Sequence, residues 1–205
     1  MNDMLGRQWH DLVSVWAVDP ALADRTFEEV QTHYAGPGRF YHTLDHVQNV
    51  LHTVESLGSY TRLRNAVKLA AWLHDVIYDS RAFDNEERSA DYSERLCEKL
   101  SIPEGRLVAA LIRKTKTHDA EGDADAQVLI DADLAIMGAS ESAYRIYAEQ
   151  IRREYAWVSE PEYRMGRRQV LKRFLTRPKI YHFLHHLEAT ARRNIAAEIA
   201  QLAVA

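Results

Sequence analysis

Residues 66–79 read AVKLAAWLHDVIYD. Ala66, Leu69, Ala70, Leu73 and Ile77 recur at the spacing of one helix face, which predicts a helix from about Arg62 to Tyr78. His74 stands eight positions after Ala66 and four after Ala70, on that same stripe. Asp75 follows at its edge. An apolar face interrupted by two ionisable groups poses a fold question and a chemical one.

The fold question is answered by composition and punctuation. Ala, Leu, Glu and Arg number 27, 20, 16 and 20 in a chain of 205 residues, and all are strong helix formers. Gly (8) and Pro (5) are sparse, so breaks are few. The expectation is an all-α bundle of about 8–10 helices. Asp19-Pro20 reads as an N-cap with proline at the first helical position, dividing a helix near 5–17 from one near 20–34. Gly36-Pro37-Gly38 is the strongest break. Further helices are expected near 43–57, 62–78, 84–100, 103–116, 124–137, 140–157, 160–176 and 182–202, with a polar loop at 118–123. No low-complexity segment, fixed-period repeat or long linker is evident, so one domain, 1–205, is expected.

The same numbers narrow the partners. Net charge is −4, with no basic patch that would make nucleic acid the default partner. The apolar runs are too short to span a bilayer, and Met1 to Arg7 holds no signal-peptide core, so no membrane partner is expected. Cys97, the single cysteine, forms no internal disulfide and fits a cytoplasmic location. Oligomeric state is unreadable.

Other ionisable residues also interrupt apolar faces. Asp133 has Leu129 and Ile130 one turn before it and Ile136 and Met137 one turn after. A carboxylate so placed is costly unless a cation or several donors meet it; backbone amides or an arginine would serve as well as a metal. His42 and His46 are four apart, on one side of a helix. They are a metal-site pair or simply two half-buried histidines at a helix start. His46, His74, Asp75 and Asp133 thus lie on three helices whose apolar faces converge. Two imidazoles and two carboxylates suit a divalent cation such as Mn, Fe, Co, Ni, Zn or Mg. The His-Asp dipeptide alone is weak evidence: chance gives about 0.7 in such a chain, and three occur. Only His74-Asp75 follows an apolar helical run. His182, His185 and His186 have ligand-like spacing but no acidic partner motif. Tyr144, Tyr147, Tyr155 and Trp157, at helical intervals, read as core packing.

Taken together, RFYHTLDHV (39–47), AAWLHDVIYD (70–79), DNEERSA (84–90), TKTHD (115–119) and DADLAIMG (131–138) resemble the HD superfamily of metal-dependent phosphohydrolases, in a branch known only as predicted HD phosphohydrolases. The later segments IRREYAWV, GRRQVLKRFL and IYHF resemble that branch too, so the likeness spans roughly residues 5–195. It implies an HD-type helical domain with a metal-site core near 39–138 and C-terminal helices at 140–202. It also implies hydrolysis of a phosphoester in a small molecule, such as a nucleotide, by metal-activated water.

Site residues follow from the resemblance. YHTLDHV is similar to the YHNxxHA segment of cyclic-nucleotide phosphodiesterases, where the second His binds metal and the first protonates the leaving oxygen. Carried over, His46 is a ligand and His42 the general acid, with Thr43 where that motif has Asn. Superfamily ligands commonly end in an Ala-Asp dipeptide, which Ala132-Asp133 matches; Asp131 is the competitor. Arg39, Lys114 and Lys116 are candidate cations for the substrate phosphate, although the two lysines also suit a helix C-terminus. His118 is a candidate for substrate or a second metal, or a plain loop histidine. Glu86 is a candidate base or simply an acid at a helix N-terminus. Asp79 is a supporting carboxylate or a helix end. The alternatives are a di-iron oxygenase of the same superfamily, which needs extra ligands such as His118, and a non-catalytic metal-stabilised binding domain.

Overall fold

The Asp19 carboxylate accepts the Leu22 N–H at 3.0 Å, and Pro20 opens the helix behind it. The sequence boundary is therefore also the structural one. The computed structural model describes residues 2–120 and 122–204. These form ten α-helices, three short 3₁₀ turns and no strand among the described residues. The all-α expectation holds.

Two compact units divide the chain after Ala132. The first carries α1 (Asn2–Ser14), α2 (Pro20–Tyr34), α3 (Leu44–Ser56), α4 (Arg64–Leu73), α5 (Asn85–Lys99), α6 (Gly105–Thr115) and nearly all of α7 (Ala124–Leu134). The second carries α8 (Glu141–Glu154), α9 (Glu160–Thr176) and α10 (Glu188–Gln201).

In the first unit α4 is the central element. The sequence shows one apolar stripe, but Val67, Ala71 and Trp72 off that stripe are buried as well. Helices α1, α3, α5 and α6 all pack against it. Trp72 receives Trp9 edge-on at 5.5 Å and Phe27 edge-on at 6.1 Å, so α1 and α2 meet on one ring. Burial of a large apolar side chain of this kind stabilises by roughly 1.5–3 kcal/mol.

Helix α4 stops at Leu73, five residues before the expected end. Side chains take the Trp72 carbonyl in its last turn and the carbonyls of the turn that follows. Tyr34 Oη donates to Trp72 O at 2.9 Å, and the Arg39 guanidinium donates to Asp75 O and Val76 O at 2.8 and 2.9 Å. Ser89 Oγ bonds both the N–H and the C=O of Ile77 at 3.1 Å. His74 and Asp75 consequently sit at the open end of a buried helix.

Helix α7 is fixed against the other end of α4. Asp125 accepts the Arg62 and Leu63 N–H groups at 2.7 and 3.3 Å, where the start of α4 has no helical acceptors. Asp133 lies eight residues further on, about 12 Å along the helix axis.

The second unit has a polar interior. Arg167 Nε meets Glu198 Oε1 at 2.8 Å with both side chains 8% exposed, and Tyr144 Oη donates to Glu198 at 2.5 Å. Helix α10 begins at Glu188, six residues later than expected. The Glu188 carboxylate accepts the Ile180 and Tyr181 N–H groups, which holds 180–187 in an irregular path with a 3₁₀ turn at His185–Leu187. His182, His185 and His186 therefore do not share a helix face, and their spacing loses its ligand-like meaning. Tyr144 and Tyr147 are core residues as expected, but Trp157 is half exposed.

Candidate metal centre

Local sequence sets each ligand. His46 stands in the first turn of α3, whose Val47, Val50, Leu51 and Val54 are buried and draw the imidazole inward. His74 and Asp75 follow the last turn of α4. Asp133 is in the last turn of α7.

Their ligand atoms converge. His46 Nε2 and His74 Nε2 are 3.1 Å apart. Asp75 Oδ2 lies 3.1 Å from His74 Nε2 and 3.6 Å from His46 Nε2. With Asp133 included, all four atoms fall within 4.8 Å of one another. Neighbouring ligands at about 2.0–2.2 Å from one first-row cation are separated by roughly 3.0–3.5 Å. The two separations of 3.1 Å fall in that range, and the third, at 3.6 Å, is just beyond it.

Burial and proton placement fit it too. The histidines are 3% and 1% exposed, whereas both aspartates are half-buried, so it is the carboxylates that reach solvent. His74 Nδ1 is 3.0 Å from Ala71 O, an acceptor only, which assigns its proton to Nδ1 and leaves the Nε2 lone pair for the cluster. Two carboxylates and two neutral imidazoles carry a net charge of −2, matched to a divalent ion. This group can hold a metal.

Asp133, rather than Asp131, joins the set. The sequence argument treats Asp133 as the enclosed carboxylate, yet Asp131 is 0% exposed and Asp133 is half-buried. Two positions on a helix differ by about 200°, so the two carboxylates face opposite ways. The chain places the enclosed one in the core and the ligand nearer the surface.

His42 borders the cluster, with Nε2 4.0 Å from Asp75 Oδ2. Its ring stacks on Tyr78 at 4.0 Å and 26°. Tyr41 lies 5.1 Å from the His42 ring and 4.7 Å from the His46 ring. Sequence reasoning singled out neither tyrosine. Tyr78 had a signal, standing four residues after His74, and Tyr41 directly precedes His42.

The other candidates are placed elsewhere or engaged. Arg39 Nη1 donates to His42 O at 2.9 Å as well as to the α4 end, so its guanidinium serves backbone carbonyls. Lys114 is ion-paired with Asp123, and Lys116 Nζ donates to Phe83 O at 3.0 Å. His118 has φ 52° and its N–H donates to Lys114 O at 3.0 Å, where it ends α6 outside the four-residue group. Exposed Asp79 shapes a turn, accepting the Arg81 N–H at 2.9 Å while Asn85 bonds its backbone at 2.9 and 3.0 Å. Glu86 is half-buried in the first turn of α5 and is also outside the group.

No protein-family model matches the chain, and neither a curated protein nor a solved structure matches it. The case for the site therefore rests on its geometry.

Proposed function

We propose that this protein is a metal-dependent phosphohydrolase of the HD type, cleaving a phosphoester of a small molecule such as a nucleotide. The observation that carries this reading is the convergence of His46, His74 and the half-buried Asp75 and Asp133, with His42 beside them. A divalent cation held there supplies a Lewis acid that polarises a phosphoryl oxygen and activates water as the nucleophile.

The chain's own residues do the rest. His46 and His74 present neutral nitrogens, and the Ala71 carbonyl holds the His74 ring in its tautomer. Asp75 and Asp133 balance the cation's charge. His42, stacked on Tyr78, is held near the ligands without being one of them. Protonated, it donates from its ring to the leaving oxygen, a step contributing roughly 10²–10⁴-fold. No helix among the described residues is long and apolar enough to cross a membrane. Buried Cys97, with no disulfide, agrees with a reducing compartment, and we place the protein in the cytoplasm. No observation favours the oxygenase alternative, since His118 adds no ligand to the group.

The test is the metal content of purified wild type and His74→Ala by elemental analysis, followed by a panel of phosphoesters. About one or more ions per wild-type chain, lost in a folded His74→Ala, together with phosphate release, bears the proposal out. No metal after soaking with Mn, Co and Ni, or metal without turnover of any phosphoester, overturns it.

A further inference from the structure

Arg39 occupies an unusual position for a surface-charge residue. Its guanidinium lies 5.0 Å from the Tyr34 ring centroid and 5.5 Å from that of Tyr78. Two of its nitrogens donate to three backbone carbonyls, those of His42, Asp75 and Val76, at 2.8–2.9 Å. One carbonyl belongs to the segment that enters α3. The other two belong to the turn that leaves α4. In the chain, α3, a 3₁₀ turn and α4 separate residues 39–42 from residues 75–76.

We infer that Arg39 is the positioning residue of the centre: it locks the His42 segment to the Asp75 turn and so sets the spacing of His42 and the ligands. This inference rests on the proposed metal site but not on the reaction assigned to it. Three features support a positioning role over substrate binding. Three of its five N–H donors are committed to carbonyls. The carbonyls at 75 and 76 lie in the turn that follows α4, near its C-terminus, where a cation is favoured. Tyr78, which shares the Arg39 cation, is also the ring that stacks on His42. The geometry needs a planar fork, and a lysine ammonium cannot reach three carbonyls with fixed directions.

The experiment uses the full chain as wild type, Arg39→Gln and Arg39→Lys, each confirmed folded by circular dichroism. Co(II) alone is the probe, read by its affinity and by its visible absorption spectrum, which reports coordination geometry. Both variants are expected to bind Co(II) roughly 10- to 100-fold more weakly, as for other groups that orient metal ligands. Their spectra should differ from wild type. Millimolar guanidinium should partly restore both readouts in Arg39→Gln. A general loss of stability would not yield a restored spectrum. Wild-type affinity and spectrum in both variants would overturn the inference. If Arg39→Gln does not fold, Arg39→Lys carries the test. Should wild type bind no Co(II), the metal reading fails separately. The lock is then judged on the His42 and His46 ring signals of metal-free protein by NMR. Signals shifted by Arg39→Gln and returned by guanidinium support it; unchanged signals overturn it.

Discussion

His46 Nε2 lies 3.1 Å from His74 Nε2, closer than two nitrogen lone pairs rest without a proton or a cation between them. Because His74 carries its proton on Nδ1, the choice is between a His46 N–H and a metal ion. The two cases respond differently to added metal. A cation that binds only the folded chain stabilises it by about 2.7 kcal/mol at 100 times its Kd. For a chain of this size that corresponds to a rise in Tm of roughly 5–10 °C. Thermal unfolding with Mn(II) or Co(II) should show this rise in wild type, and a chelator should abolish it. His74→Ala, which loses a ligand, should show none. An equal rise in His74→Ala would place the binding elsewhere.

On the proposed function, His42 is the residue that separates binding from chemistry. Its Nε2 is 4.0 Å from Asp75 Oδ2, and it is not among the four converging ligands. His42→Gln should therefore retain the metal content of wild type while lowering kcat for phosphoester hydrolysis by roughly 10²–10⁴-fold. Tyr78→Leu removes the stacked ring and should lower kcat by a smaller factor, again with metal retained. Loss of metal from His42→Gln would make it a ligand and remove its assignment as acid.

The four converging residues were legible in the sequence because each interrupts an apolar helical pattern. Helical period predicts which side chains share a face, and it placed His46, His74 and Asp133 on faces that do converge. It does not show where the buried carbonyls of a terminated helix find donors. For that reason the role of Arg39 and the early stop of α4 were invisible before the structure. Nor does period distinguish a carboxylate enclosed by the core from one nearer the surface, and Asp133, read as enclosed, is half-buried while Asp131 is in the core. The histidines at 182, 185 and 186 misled for a related reason: side chain to backbone bonds from Glu188 replaced the helix that their spacing presumed.

Helices α5 and α6 approach closely at one point. A Cβ built on Gly105 would stand 2.8 Å from Cys97 Cβ. Gly105→Ala must push the helices apart, at a cost of about 1–3 kcal/mol that exceeds the gain in helix propensity. Burial, followed by nearby Glu104 and Glu94, pushes the Cys97 thiol up to about 12, so it is protonated at neutral pH. Native wild type should react with a thiol reagent only as fast as it opens, and Gly105→Ala should react faster with a lower urea midpoint. Equal labelling rates and midpoints would show that the helices adjust without strain.

The second unit offers a test of its polar interior. Arg167 and Glu198 form a pair with both side chains 8% exposed. Glu198 also accepts from Tyr144, and Arg167 Nη1 contacts the Tyr147 hydroxyl at 3.2 Å. Burial, with Glu198 beside it, pushes the Tyr144 phenol far above its ordinary range, so it remains a donor throughout the accessible pH range. Arg167→Met leaves the Glu198 carboxylate buried with the Tyr144 hydroxyl as its hydrogen-bond donor. Removal of one member of a buried pair typically costs about 3–5 kcal/mol. The double variant Arg167→Met with Glu198→Leu removes both charges, replaces them with apolar volume, and should recover most of that loss. Urea unfolding of the two single variants and the double variant gives the coupling directly. Additive losses would mean that the pair is not energetically linked, and that the Tyr144 hydroxyl alone satisfies Glu198.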